Sequence, residues 1–140
     1  MRFRRLLNAT LFLLAMLPFS ARSEDGGQIA PAAAATRFVA LLDAGTVDAA
    51  WHEFTPLAQI IKSAAQWQRL QQSLRTAYGP LEQRSMRGVT LQSRYAMLPD
   101  GRYAIVQFDT VFRNKRAAIE TIVLIQNQDS RWQIYDYINN

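Results

Sequence analysis

The chain has no cysteine and only one histidine. Without thiols it can have no disulfides, no thiolate metal site, no thiol nucleophile and no lipid-bearing amino-terminal cysteine, so its stability must come from packing. A lone imidazole, His52, cannot make a multi-histidine zinc site, and no HExxH or comparable spacing occurs. P-loop, Rossmann glycine and serine-nucleophile motifs are also missing. The expectation is a protein with no cofactor and no metal.

Nor is there an apolar run long enough to anchor the chain. Leu6 to Phe19 is mostly apolar but is interrupted by Asn8, Thr10 and Pro18, and it is too short to cross a bilayer. Arg2, Arg4 and Arg5 precede it, and Ser20, Ala21 and Ser23 supply small residues after it. That is the three-part pattern of an export signal over residues 1–23, cleaved after Ser23. Its removal takes away four arginines, Arg22 included, so that 16 basic and 11 acidic residues become 12 and 11. The mature chain is then almost neutral, and a nucleic-acid footprint, which needs a clustered basic face, is not expected. The destination is the bacterial envelope, most naturally the periplasm.

The rest of the chain suffices for one domain over 31–140, preceded by a flexible leader at 24–30. Pro31 suits the first turn of a helix, Ala34, Phe38, Leu41 and Leu42 recur at helical spacing, and Gly45 supplies a stop. A short helix follows from about Val47, with Thr46 or Asp48 as its cap. Thr55 and Pro56 then open another turn whose apolar side would be Leu57, Ile60 and Ile61. Ser63 to Gln66 is a capping box, and behind it Trp67, Leu70, Leu74, Ala77 and Tyr78 form a stripe closed by Gly79-Pro80.

Beyond Gly79 the period changes from helical to alternating. Val89, Leu91, Tyr95 and Met97 alternate with polar residues, and strands are expected at 102–113, 117–126 and 131–138. Segregated helices and strands predict an α+β fold, three or four N-terminal helices packed on a curved four-stranded antiparallel sheet. If Asn114, Lys115 and Arg116 form the bend between the second and third strands, Phe112 pairs with Ala118, Thr110 with Glu120, Phe108 with Ile122 and Val106 with Leu124. With a four-residue turn at 98–101, Val89, Leu91 and Tyr95 join the same face, and Glu120 then points toward the helices. A four-residue loop at 127–130 brings Tyr137 beside Glu120, its hydroxyl able to donate to the carboxylate. Either Trp132, Ile134 and Ile138 or Tyr135 and Tyr137 could face the helices.

Leu41 to Gly45, Trp51, the Phe112–Lys115 bend, Glu120 to Leu124 and the Arg131–Tyr137 segment together resemble a family of small secreted bacterial domains, domain of unknown function four-zero-one-nine. Asp136 departs from the glycine expected there. The resemblance implies a helices-then-sheet layout similar to cystatin-like and nuclear-transport-factor-two-like domains, and no particular activity.

Two polar features are candidate sites. Glu120 is either a structural acid paired with Tyr137 or an arginine, or a proton-transfer group. Arg113, Lys115 and Arg116 crowd one bend and either grip an anionic ligand or partner or are simply solvated. The three tryptophans read as core anchors. The leading functional reading is a noncatalytic ligand- or protein-binding accessory module using a helix–sheet cleft, with Glu120 and Tyr137 as contacts and the 113–116 tip at its rim. The alternatives are a small isomerase or hydrolase using Glu120, and a structural homodimer formed through Tyr103, Ile105, Val111, Ile119 and Val123.

Overall fold

A computed structural model describes residues 26–140; the expected export signal at 1–23 lies outside the described residues. Helix α1 (Gly26–Asp43) starts five residues before Pro31, so the part of the expected leader from 26 to 30 is helical. Pro31 still falls within the second turn, where its missing N–H forfeits one backbone bond. The other end of α1 follows expectation. Gly45 adopts φ 76, its N–H bonds Leu42 O at 3.1 Å, and the Thr46 N–H bonds Leu41 O at 3.0 Å. This double bond pattern is a Schellman termination, which favours glycine at the left-handed position.

Helices α2 (Val47–His52), α3 (Pro56–Ile61) and α4 (Ala64–Tyr78) follow. Thr46 precedes α2 without capping it by its side chain, because its hydroxyl donates to Leu41 O at 2.7 Å. The Thr55 hydroxyl accepts from the Ala58 N–H at the start of α3, and Ser63 and Gln66 complete the reciprocal capping box of α4.

Two apolar stripes differ from expectation. On α3 only Ala58 is buried, while Leu57, Ile60 and Ile61 are exposed. The helix has six residues and its N-terminus is tied to the edge of the sheet: Thr55 N–H bonds Ile134 O at 2.7 Å and Ile134 N–H bonds Glu53 O at 3.0 Å. Phe54 thus forms a parallel bridge with Ile134. On α4 the buried residues are Trp67 and Gln71, with Leu70 exposed. The buried face is therefore turned by one position, and an amide occupies the core place expected for leucine.

Strands β1 (Leu81–Gln92), β2 (Tyr103–Phe112), β3 (Lys115–Gln126) and β4 (Trp132–Asn139) form one antiparallel sheet in sequential order. With four helices ahead of this sheet, the fold is the expected α+β class. β1 begins about eight residues earlier than its apolar alternation suggested. Its first half, Leu81–Gly88, carries arginine and glutamine in place of apolar residues and is bulged at Met86–Gly88. Residues 93–102 make a longer connection than the expected four-residue turn. In it Tyr95 packs near Tyr103 and Tyr135, with ring centroids 6.1 and 6.2 Å apart. Tyr103 shares strand parity with Ile105 on the face opposite the helices. Tyr95 thus belongs to that far face, a correction of its expected place, and Tyr103 and Val123, nominated for dimerisation, are already buried within the chain.

The β2–β3 register is Thr110 with Ala118, Phe108 with Glu120, Val106 with Ile122 and Ala104 with Leu124. Arg113 and Asn114 alone lie between the paired Phe112 and Lys115, and a register shift follows between Thr110 and Phe112, so the pairing beyond it is displaced by two residues from the expected one. A displacement of two preserves which face each side chain occupies. In β4 a register shift opposite Val123–Leu124 leaves Tyr135 unpaired. The bulge changes the parity of the strand, so Trp132 and Ile134 before it and Tyr137 after it are all buried. That resolves the choice between the two expected faces by accepting part of each.

α1 touches all four strands, and the core between helices and sheet is built on rings. Phe38 lies 5.5 Å from Phe54 and 5.6 Å from Tyr137, and Trp67 lies 5.0 Å from Phe54 and 6.0 Å from Tyr137. These edge-to-face contacts each contribute about 0.5–1.5 kcal/mol beyond area burial.

Candidate functional site

Glu120 faces the helices and is completely buried. Strand parity puts it there, and four hydrogen bonds hold it. Arg84 grips the carboxylate with Nε to Oε2 at 2.6 Å and Nη2 to Oε1 at 3.2 Å. The Thr110 hydroxyl donates to Oε2 at 2.6 Å and the Tyr137 hydroxyl to Oε1 at 2.7 Å. Each oxygen thus accepts twice, which fills the acceptor capacity of a carboxylate. The expected contact with Tyr137 is present, although Tyr137 pairs with Ile122 and reaches Glu120 diagonally.

The network continues past Arg84. Its Nη1 donates to Asp43 Oδ2 and its Nη2 to Asp43 Oδ1, the latter at 3.2 Å. Asp43 Oδ1 also accepts from Arg75 Nη1 at 3.0 Å. At the other end the Asn139 amide donates to the Tyr137 hydroxyl at 3.0 Å. Two cations and two anions alternate from α4 through α1 and β1 to β3, so the buried charge is balanced pair by pair. Every strand and both long helices contribute a side chain.

Electrostatics follow the geometry. Burial works against the Arg84 charge, yet its hydrogen bonds to Asp43 and Glu120 and their negative charges outweigh it and push the guanidinium above its usual value. Burial, then the Glu120 charge and hydrogen bond, push the Tyr137 phenol well above the ordinary tyrosine value. Burial and the nearby Asp136 also raise Tyr95.

The three cations of the bend do not converge on one ligand position. The Lys115 ammonium sits over the Tyr78 ring at 5.1 Å, and Arg116 pairs with Glu82 on β1. Arg113 is exposed, and its backbone N–H bonds Pro80 O at 3.0 Å. The bend is fastened to the α4–β1 connection: the Asn114 N–H bonds Tyr78 O at 2.8 Å, and a Cβ on Gly79 would stand 3.0 Å from the Asn114 amide. His52 is exposed and lies 3.6 Å from Asp48, one helical turn before it. Among the described residues no group of three or more His, Asp or Glu could hold a metal ion, and no helix is long and apolar enough to cross a membrane.

Sequence reasoning reached Glu120 and Tyr137 but missed Arg84, Asp43, Thr110 and Arg75. Asp43 carried a usable signal, because it is an acid in the last turn of a helix, where the helix dipole disfavours negative charge. An anion so placed asks for a cationic partner, and it has two. Arg84 gave no such signal, lying in a stretch that reads as solvated surface.

A second polar feature lies between the end of α1, the start of α2 and α4. A cavity of about 680 Å³ there is lined by Leu42, Val47, Asp48, Gln71 and Arg75 among others. The volume suits a small organic ligand. Gln71 is 1% exposed, and both polar atoms of its amide lack a partner within the protein, as does Nη2 of Arg75.

The model of a protein family described as Protein of unknown function (DUF4019) matches residues 34–137. No curated protein and no solved structure matches the chain.

Proposed function

Because the chain belongs to the DUF4019 family, whose description assigns no activity, we propose from its own chemistry that it is a noncatalytic binding module exported to the bacterial envelope. The observation that carries this reading is the saturation of Glu120. The one acid that the sequence nominates for proton transfer accepts four hydrogen bonds, is sealed from solvent, and lines none of the cavities described for this fold. A general acid or base must reach the proton it moves, and Glu120 would first have to surrender Arg84, Thr110 or Tyr137. Its service is to fix the helical layer on the sheet.

Recognition then belongs to the periphery of the domain, not to a cleft around Glu120 and Tyr137. The test is a thermal-shift screen of the purified protein against envelope metabolites and cell-wall fragments. A ligand selective for the native state at 100 times its Kd adds about 2.7 kcal/mol of stability. The expected result is a concentration-dependent rise in Tm with the ligand recovered chemically unchanged by mass spectrometry. Conversion of a stabilising compound to product, or a screen with no response, would overturn the reading.

A further inference from the structure

Gln71 holds a position that the periodicity of α4 reserves for an apolar side chain, and it gains nothing there from the protein. Its flanking core neighbour Trp67 satisfies its indole N–H on Val47 O at 3.0 Å, whereas neither polar atom of the Gln71 amide is matched. Buried polar side chains without partners are rare in folded proteins, because each forfeits the hydrogen bonds it made with water. Four residues on, Arg75 spends Nη1 on Asp43 and leaves Nη2 buried and unmatched. Both residues line the same cavity, which is of ligand size, and between them they leave two donors and one acceptor unmatched.

We infer that the groove between α1, α2 and α4 binds a small zwitterion of the α-amino-acid type. Arg75 and the Gln71 amide N–H supply donors for a carboxylate, and a guanidinium is well suited to that group. Gln71 Oε1 accepts from an N–H of the ligand. Asp48, exposed on the first turn of α2, supplies the negative charge that an ammonium needs. Leu42 and Val47 give the groove an apolar wall for a side chain. The assignment rests on the binding-module reading above and names its ligand class and place.

The probes are the twenty common free L-amino acids, with the amide of any binder, which lacks the carboxylate, as a second probe. The purified protein is compared with its Gln71→Leu variant by thermal shift and calorimetry. At least one amino acid should raise Tm, its amide should bind ~10–100-fold more weakly, as loss of a charge-assisted hydrogen bond entails, and Gln71→Leu should lose the response while its own Tm stays level or rises. The amide comparison needs no altered protein, so a poorly folded variant does not blunt the test. Equal binding of acid and amide, or binding undiminished in a folded Gln71→Leu protein, overturns the assignment. Silence toward every amino acid alongside hits among other envelope compounds overturns it too, and leaves the binding module standing; silence toward both sets removes the two together.

Discussion

At the scale of single residues, the molecule's chemistry is decided by which polar groups are matched. The Tyr137 hydroxyl donates a hydrogen bond to Glu120 and accepts one from the Asn139 amide, so ionising it would set a phenolate against a carboxylate in a buried place. Its folded value is raised above the ordinary value of about 10, and Tyr95 is raised as well. The sign follows from linkage: below about pH 10 both phenols are protonated in the folded and unfolded chains, and their contribution is intact. As pH rises further the unfolded chain loses these protons first, and the native state loses stability. An absorbance titration near 295 nm should therefore show tyrosine ionisation that comes later in the native protein than in urea. Native and urea titrations that coincide would contradict the Tyr137–Glu120 bond. Sequence reading found this pair because strand parity is robust: a pairing displaced by two residues from the expected one still leaves Glu120 on the same face. It did not find Arg84, because an arginine between glutamine and serine on an edge strand has the same local pattern whether it is solvated or turned inward.

At the scale of elements, the boundaries that were legible are those fixed by backbone chemistry. Gly45, the Thr55–Pro56 start and the Ser63–Gln66 box stand where they were read, since each meets a local demand for a bond or a dihedral angle. What burial decides was less legible. Leu57, Ile60 and Ile61 have helical apolar spacing, but nothing in that spacing says that α3 is hung from the edge of β4 and not laid on the sheet. The start of β1 was likewise hidden by its polar composition and bulge, and the β4 bulge at Tyr135 has no local signature. Gly79 joins both kinds of constraint. Its φ of 72 lies in the left-handed region, and the Asn114 side chain leaves a Cβ only 3.0 Å. Gly79→Ala should cost about 1–3 kcal/mol through strain and displacement of the bend. Gly45→Ala, with nothing within 4 Å of the added Cβ, should cost about 1–2 kcal/mol from its dihedral angle alone. Urea unfolding of the two variants measures both, and a smaller loss at Gly79 than at Gly45 would mean that the bend yields freely.

At the scale of the whole molecule, one polar network joins every layer of the fold. α4 and α1 meet through Arg75 and Asp43, α1 meets β1 through Arg84, and the sheet is joined through Thr110, Glu120 and Tyr137. Replacing Glu120 by Gln keeps the shape but turns an amide N–H toward donors and leaves Arg84 with one carboxylate instead of two. Removing one member of a buried ion pair costs about 3–5 kcal/mol, a large part of the stability of a domain this size. Glu120→Gln should lower the free energy of unfolding in urea by that amount, and its near-UV and far-UV circular dichroism transitions should still coincide, because the remaining contacts also cross all layers. A loss below about 1 kcal/mol, typical of an exposed pair, would show that the carboxylate is not held as described.

The bridge between Phe54 and Ile134 bears on how the protein behaves when crowded. Chain from the helical half takes the outward N–H and C=O of Ile134, so the outer strand offers a stray β-segment no unbroken row of bonding groups at that point. The opposite border, β1, is interrupted by its bulge and carries Glu82, Arg84 and Arg87, charges and kinks that discourage end-on recruitment of another strand. Both margins of the sheet are thereby blunted against fibre growth, a protection built into the covalent chain itself for a protein that has no disulfide to limit its opening.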